Sequence, residues 1–368
     1  MKTWRYILLP FSLFYGIVVM FRNLFYDLGI FKSKKFDKPV ILVGNLTVGG
    51  TGKTPHVESL VRILESERIA GATLSRGYGR KTSGMIDAKR GHTALEIGDE
   101  PKQIRQKFPN IVVVADGNRR RGIDYIFREH PNVKAIVMDD GFQHRSVKPS
   151  LSILLQDYNE LEERNFLLPA GTLREPRSAA RRADALIISK TPGFFSPMEK
   201  RLLKERIRLY ASQQVFFTYM RYGGMFSVVD DGKPSLFDKE YYIERNYKVL
   251  CVTGIANSGP FCEYLTGKFG PVEHLEFPDH HRYRAADVKK MVEAYEKMPG
   301  DNKLVLTTEK DAMRLMQPEL KEVYQHIPLF FISIEVGFHH DDYAQFKSFI
   351  LDHLKPYTTG RSIFAAKV

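Results

Sequence analysis

The segment VILVGNLTVGGTGKTPHVESLVRIL, residues 40–64, has the residue types and spacing of a phosphate cradle. A continuous apolar run ends at Gly44, and a glycine-rich turn then opens an amphipathic stretch at Thr54. In a strand–loop–helix setting, the turn's backbone N–H groups and the helix N-terminus together attract anions. The candidate nucleotide-contacting residues are Thr47, Val48, Gly49, Gly50, Thr51, Gly52, Lys53 and Thr54. Lys53 would set a cation on the β- and γ-phosphates of ATP, and the Thr54 hydroxyl would ligate Mg²⁺. Thr47 stands where the GxxxxGK[ST] spacing usually has its first glycine. The plain alternative, a flexible turn carrying a solvated lysine, does not account for the apolar run before it.

A phosphate loop needs an acid at the end of a neighbouring strand. AIVMDDGFQHR places Asp139 and Asp140 directly after an apolar run, where a carboxylate holds Mg²⁺ directly or through water. Two adjacent acids alone would read as a solvated turn, but a phosphate loop upstream favours the metal. Asp99, in GDEP, reads from residue types as a helix N-cap ahead of Glu100 and Pro101. His280 and His281, in FPDHHRY, read as polar loop residues; no cysteine is near them in sequence and no histidine stands at zinc-finger spacing. Lys310–Asp311 in TTEKD is similar to a purine-reading turn, although a helix cap at Thr307 or Thr308 explains it equally well.

These residues need a scaffold. Short β-branched runs at residues 40–43, 72–74, 111–114, 135–138, 152–155 and 185–188 alternate with amphipathic stretches at 55–64, 100–107 and 119–128. That alternation predicts a parallel α/β sheet. Residues 226–238 break it with a DDGKP turn between candidate strands, which suggests a hairpin and a domain boundary. The alternation resumes with strands at 248–252, 303–306 and 329–334 and with helices after Ser258, after Asp311 and over 343–354.

The chain has 368 residues, a length that suits two domains, and a net charge of +12. The basic excess implies an anionic partner: nucleic acid, an acidic membrane or a phosphorylated substrate. Two cysteines, Cys251 and Cys262, supply neither a disulfide framework nor a four-ligand zinc site, and both are read as reduced and buried. The uncharged run YILLPFSLFYGIVVMF, residues 6–21, is flanked by Lys2, Arg5 and Arg22 and followed by no small-residue cleavage site. It reads as a helix lying in or dipping into one leaflet, with Pro10 at its kink or start. A buried core helix is the alternative.

GNLTVGGTGKTP, LSRGYGR, GDEP, DDGFQHR, LLPAGTLREP, VTGIANSGPF, FPDHHRY and TTEKDAMR occur here in one order. In that combination, running to about Arg314, the chain resembles the tetraacyldisaccharide 4′-kinases, the lipid A kinases of Gram-negative bacteria. The resemblance implies an α/β fold: a P-loop NTPase-like parallel sheet with a second, smaller α/β lobe joined by a β-hairpin, plus a membrane-associating N-terminal helix. The expected division is 1–35 for that helix, 36–222 for the P-loop kinase domain, 223–245 for the hairpin linker and 246–368 for the C-terminal lobe. The implied reaction passes the ATP γ-phosphate to the 4′-hydroxyl of a tetraacyl disaccharide 1-phosphate, giving lipid IVA. The implied cofactors are ATP and Mg²⁺. A hydroxyl residue at the Thr47 position is normal in that family.

By the same resemblance Asp99 matches a general base and His280 its partner, with Lys53 on phosphate. Asp139 and Asp140 match the acids beside the metal, and Glu175 in LREP a metal or acceptor support. Arg76 and Tyr78 match acceptor or phosphate contacts, and one of Arg119–Arg121 a basic position. The implied partners are an anionic glycolipid and the inner-membrane surface, with neither nucleic acid nor an obligate protein partner. The implied location is the cytoplasmic face of the bacterial inner membrane, peripheral or monotopic. Two rivals share the loop. A membrane-surface switch ATPase would carry lysine where Val48 stands. A nucleic-acid-dependent ATPase suits the charge, but the aromatic and basic residues are scattered and form no binding module.

Overall fold

The computed structural model describes residues 7–161, 165–207, 209–210, 212–229 and 236–358. They form two compact units: residues 7–76, 116–220 and 336–358 in the first, 77–115 and 221–335 in the second.

The first unit is built on parallel strands in the order 214–220 (the first half of the strand Gln214–Ser227), Ala185–Ser189, Leu151–Asp157, Val40–Asn45, Ala135–Asp139, Gly71–Ser75. Val40 pairs with Ile136 on one side, and Ile41 with Leu151 on the other. Every residue of Val40–Asn45, Ala135–Asp139, Gly71–Ser75 and Ala185–Ser189 is buried. That is why these strands read as unbroken apolar runs: a parallel sheet is covered on both faces. The helix Lys53–Ser66 buries Val57, Leu60, Val61, Ile63 and Leu64. The helix Arg119–Glu129 packs at Gly122, where a Cβ would come within 2.7 Å of Leu74.

In the second unit, Glu273–Glu276, Lys248–Thr253, Lys303–Thr308 and Leu329–Phe338 pair in parallel in that order. Met225 and Phe226 pair antiparallel with Phe237 and Leu236, so the expected hairpin has strands, while its DDGKP turn lies outside the described residues. A core of Leu250, Val252, Val305, Met291, Met313 and Phe331 fills the unit.

The sequence led to a consecutive division of the chain; the units instead interleave. Residues 77–115 belong with 221–335, and the last helix, Asp342–Thr358, belongs with the first unit. There Phe346 meets Phe216 edge-on at 5.1 Å, and Asp342 accepts from the Phe217 N–H at 3.1 Å. Neither switch leaves a mark in hydropathy, because both segments keep the same βα rhythm. The helix expected after Asp311 begins earlier, at Glu309, because the Thr308 hydroxyl caps it by accepting from the Asp311 N–H at 3.2 Å.

The N-terminal helix, Leu9–Asp27, has Pro10 in its first turn and runs past Arg22. It is not a core helix: only Ser12 and Val19 are buried, whereas Leu13 and Phe14 are 68% and 69% exposed. Its inner stripe is polar and specific. Ser12 Oγ accepts from the Ala170 N–H at 2.9 Å, Tyr15 donates to the Arg174 carbonyl at 2.9 Å, and Arg22 and Asn23 each donate to Glu175 at 3.0 Å. The spacing 12, 15, 19, 22, 23 is one helical face. The other face is left apolar and outward, on a helix long and apolar enough to cross a membrane.

Candidate active site

In the first unit the phosphate loop joins the strand Val40–Asn45 to the helix Lys53–Ser66. Gly52 caps that helix in a left-handed conformation, φ 83°, and a Cβ there would lie 2.3 Å from Met220 Cε. Only glycine fits. Gly49 also has positive φ, 134°, and a Cβ added at Gly49 or Gly50 would meet open space, so a ligand can approach the backbone. The loop is pinned from below. The Val48 N–H donates to the Thr172 carbonyl at 2.7 Å, and Ser189 Oγ donates to the Thr51 carbonyl at 2.9 Å. His56 holds the Gly52 carbonyl through Nδ1 at 2.7 Å and meets Thr218 Oγ1 through Nε2 at 3.0 Å. Burial pushes the His56 imidazole down to about 4, so it is neutral at pH 7.

Lys53 reaches back over the loop to Asn45 Oδ1 at 3.2 Å and Asp140 Oδ1 at 3.5 Å. Asp140 directly follows the neighbouring strand, with a left-handed φ of 46°, and also takes Arg174 Nη1 at 3.1 Å on both oxygens. Burial raises the Asp140 carboxyl, but Lys53 and Arg174 outweigh it and hold the group below the usual carboxylate range. Asp139 is buried beside it. Of the three consecutive arginines, Arg119 is the one directed here: it is buried, and it donates to the Asp116 and Asp139 carbonyls. Burial lowers its guanidinium to about 10, against the pull of Asp139 and Asp140. Arg121 turns away to Asp116, bonding it through two nitrogens at 2.8 and 2.7 Å. Arg76 is exposed, at the end of the strand Gly71–Ser75.

This donor set suits the implied ligands. Thr54, Asp139 and Asp140 offer oxygen atoms, the preference of a hard divalent ion. Thr51 Oγ1 is buried without a hydrogen-bond partner among the described residues, a vacancy that polar ligands fill.

Glu175 has a different place from the one expected at a metal. It is fully buried, and both of its oxygens are engaged: Oε1 by Arg22 at 3.0 Å, Oε2 by Asn23 at 3.0 Å and Arg182 at 2.8 Å. It fastens the N-terminal helix. Its neighbour Arg174, assigned no role from sequence, is the residue that meets Asp140.

The second unit carries the other cluster. Asp99 opens the helix Asp99–Lys107, but Gly98 is the N-cap, and Asp99 makes no capping bond. Its Oδ2 instead accepts from Arg314 Nε at 2.8 Å and Nη2 at 2.6 Å, with His280 Nδ1 at 3.7 Å. Arg314 is buried and further tied to Asp311 Oδ1 at 3.1 Å and the Gly254 carbonyl at 2.9 Å. Its Nη2 is 3.3 Å from His280 Nδ1. Burial raises the Asp99 carboxyl; His280 and Arg314 outweigh that and keep it below its ordinary value. His280 has a left-handed φ of 57°, and its N–H donates to the Gly254 carbonyl at 3.1 Å. Tyr78 meets its ring edge-on at 5.3 Å. Asp99, His280, Arg314, Tyr78, Arg282 and Gln317 line a cavity of about 350 Å³.

The sequence paired Asp99 with His280 and missed Arg314, although TTEKDAMR ends on it. Lys310 and Asp311 do not read a base. Lys310 pairs with Glu100 at 3.3 Å, and Asp311 is fully buried, accepting from Thr308 Oγ1 at 2.7 Å.

The family profile described as LpxK, tetraacyldisaccharide-1-P 4′-kinase, matches residues 4–355. A tetraacyldisaccharide 4′-kinase of Parabacteroides distasonis is 42% identical over 95% of this chain and 94% of its own length. That of Phocaeicola vulgatus is 41% identical over 96% and 95%. A crystal structure of "apo" form LpxK from Aquifex aeolicus in complex with ATP superposes with a TM-score of 0.73 at 30% identity. It covers 95% of this chain and 99% of that one.

Proposed function

The chain belongs to the tetraacyldisaccharide-1-P 4′-kinase family, and on that premise we propose how its own residues carry out an ATP-dependent transfer to the 4′-hydroxyl of a tetraacyl disaccharide 1-phosphate. The product enters lipid A biosynthesis. The observation that carries the reading is the loop itself, a glycine-capped helix start with Lys53 poised 3.5 Å from Asp140. Phosphoryl transfer asks little covalent chemistry of a protein; it asks for positioning and for charge where charge develops.

Residues 47–54 bind the nucleotide phosphates through backbone N–H groups, and Lys53 leaves Asp140 for phosphate oxygen. Thr54, Asp139 and Asp140 would hold Mg²⁺, which would supply further positive charge at the phosphates. Lys53, Arg174 and Arg119 keep Asp140 ionised, and Arg119 holds the Asp139 carbonyl in place. Arg76 and Tyr78 touch the acceptor. Asp99 receives the hydroxyl proton. Because its carboxyl is held below the normal range, it is a weak base, and its work is chiefly to orient the hydroxyl until the proton leaves late in the transfer. His280 and Arg314 fix its direction.

The substrate's acyl chains imply that the enzyme works at a lipid surface, on the cytoplasmic face of the inner membrane, where ATP is present. The outward apolar face of Leu9–Asp27 supports this.

The test is a transfer assay with purified full-length protein, γ-labelled ATP, Mg²⁺ and a disaccharide 1-phosphate lipid in detergent. Label at the 4′ position is expected. Label released only to water, or carried at another hydroxyl, would refute the reading.

A further inference from the structure

A thiol–imidazole cluster in the second unit has no part in the transfer. Cys251 lies on the strand Lys248–Thr253, Cys262 on the helix Gly259–Phe269 and His274 on the strand Glu273–Glu276. The two strands run parallel with Cys251 opposite His274, and the helix sets Cys262 Sγ 3.5 Å from Cys251 Sγ. One donor atom from each of the three residues lies within 4.8 Å of the other two. On a tetrahedral ion with metal–sulfur bonds of about 2.3 Å, two thiolates stand about 3.8 Å apart. The sulfurs therefore already hold nearly the spacing that such an ion requires.

Burial is graded across the cluster: Cys251 is buried, Cys262 half-buried and His274 exposed. The cluster is thus open to solvent on the His274 side. Thr253 Oγ1, 2.8 Å from His274 Nε2, gives the ring the polar partner that orients a metal-binding histidine.

We propose that Cys251, Cys262 and His274 form a site for one soft, thiophilic cation of the Zn²⁺ class, with three protein ligands and an open fourth position. Its donors set it apart from the oxygen ligands of Thr54, Asp139 and Asp140, since Mg²⁺ does not take sulfur. Binding is a proton exchange: one divalent ion and two thiols give a metal dithiolate and two protons, with the imidazole entering neutral.

The test uses full-length protein in detergent, reduced with a phosphine and stripped of metal, with Cd²⁺ as the spectroscopic probe. Ultraviolet thiolate-to-cadmium absorption should saturate at one equivalent and release two protons per ion. Zn²⁺ should displace the Cd²⁺, and Mg²⁺ should not. Cys262→Ser and His274→Ala alter the two partly open positions and leave the buried thiol in the core. Each should weaken binding more than about 100-fold, beyond what outer-shell changes cost. Circular dichroism checks that both variants are folded. Absence of thiolate absorption in the folded, reduced protein would overturn the site, as would unchanged affinity in either folded variant.

Discussion

The phosphate loop and the Asp99 cluster are built in opposite ways. The loop is contiguous: residues 45–54 carry its glycines, its lysine and its hydroxyls, and a strand and a helix hold its ends. The cluster takes Asp99, His280 and Arg314 from three separate segments, which only the folded second unit brings within 4 Å. A contiguous site announces itself as a motif. A distributed one leaves residues whose local reading is bland, and Asp99 reads as a helix cap until Arg314 is seen to occupy its carboxylate.

If the loop supplies charge to phosphate, its lysine should be the most costly residue to remove. Lys53→Ala is expected to reduce kcat by about 10³-fold or more, with the fold intact by circular dichroism. Near-normal turnover would deny that the loop is catalytic at all. Arg314→Gln strikes the other region. It should lower kcat about 10²-fold, by freeing Asp99 and His280, while ATP affinity holds. It should also lower Tm, because Asp311 is left buried without its cation. A fall in Tm with unchanged kcat would reduce Arg314 to a structural brace.

The regions should also part company in acid. His56 is driven down to about 4 in the folded state by burial, against about 6.5 unfolded. The unfolded chain therefore binds a proton first, and stability falls as pH drops from 6.5 towards 4. Between pH 7 and pH 5 the wild type should lose about 2 kcal/mol more than His56→Gln in urea unfolding. Asp99 has the same sense in a lower window: its carboxyl is also lowered, so its stabilisation is present above the unfolded carboxylate value of about 3.9 and is lost as the pH falls below it. Equal losses in wild type and His56→Gln would remove the histidine from the loop's support.

The smallest expected effect lies outside both regions. Deleting the N-terminal helix would strip Glu175 of Arg22 and Asn23, so polar substitution of the outward Leu13, Phe14 and Phe21 is the cleaner probe. The KM for long-chain substrate should rise about tenfold, that for ATP little, and vesicle binding should fall. Undiminished co-sedimentation with vesicles would place the attachment elsewhere.

The parallel strands and the loop were legible because burial on both faces forces unbroken apolar runs, and a helix start without a Cβ forces Gly52. Two things were hidden. The excursion of residues 77–115 into the second unit keeps the same hydropathy rhythm as the sheet it leaves. Two partners of Glu175, Arg22 and Asn23, lie in the N-terminal helix, far away in sequence, so the acid of LREP reads locally as a metal ligand. Long separation in sequence likewise hid Arg314 from Asp99. Charge pairing across sequence leaves no periodicity to read.

The division of labour is tested most directly by the turnover of Asp99→Asn, measured below its unfolding midpoint alongside its ATP affinity. Since Asp99 makes no capping bond, helix capping cannot account for a loss. The kcat of Asp99→Asn should fall about 10²–10⁴-fold with the Kd for ATP within about twofold of wild type, since Asp99 lies outside the phosphate loop. A folded Asp99→Asn protein with full kcat would contradict it.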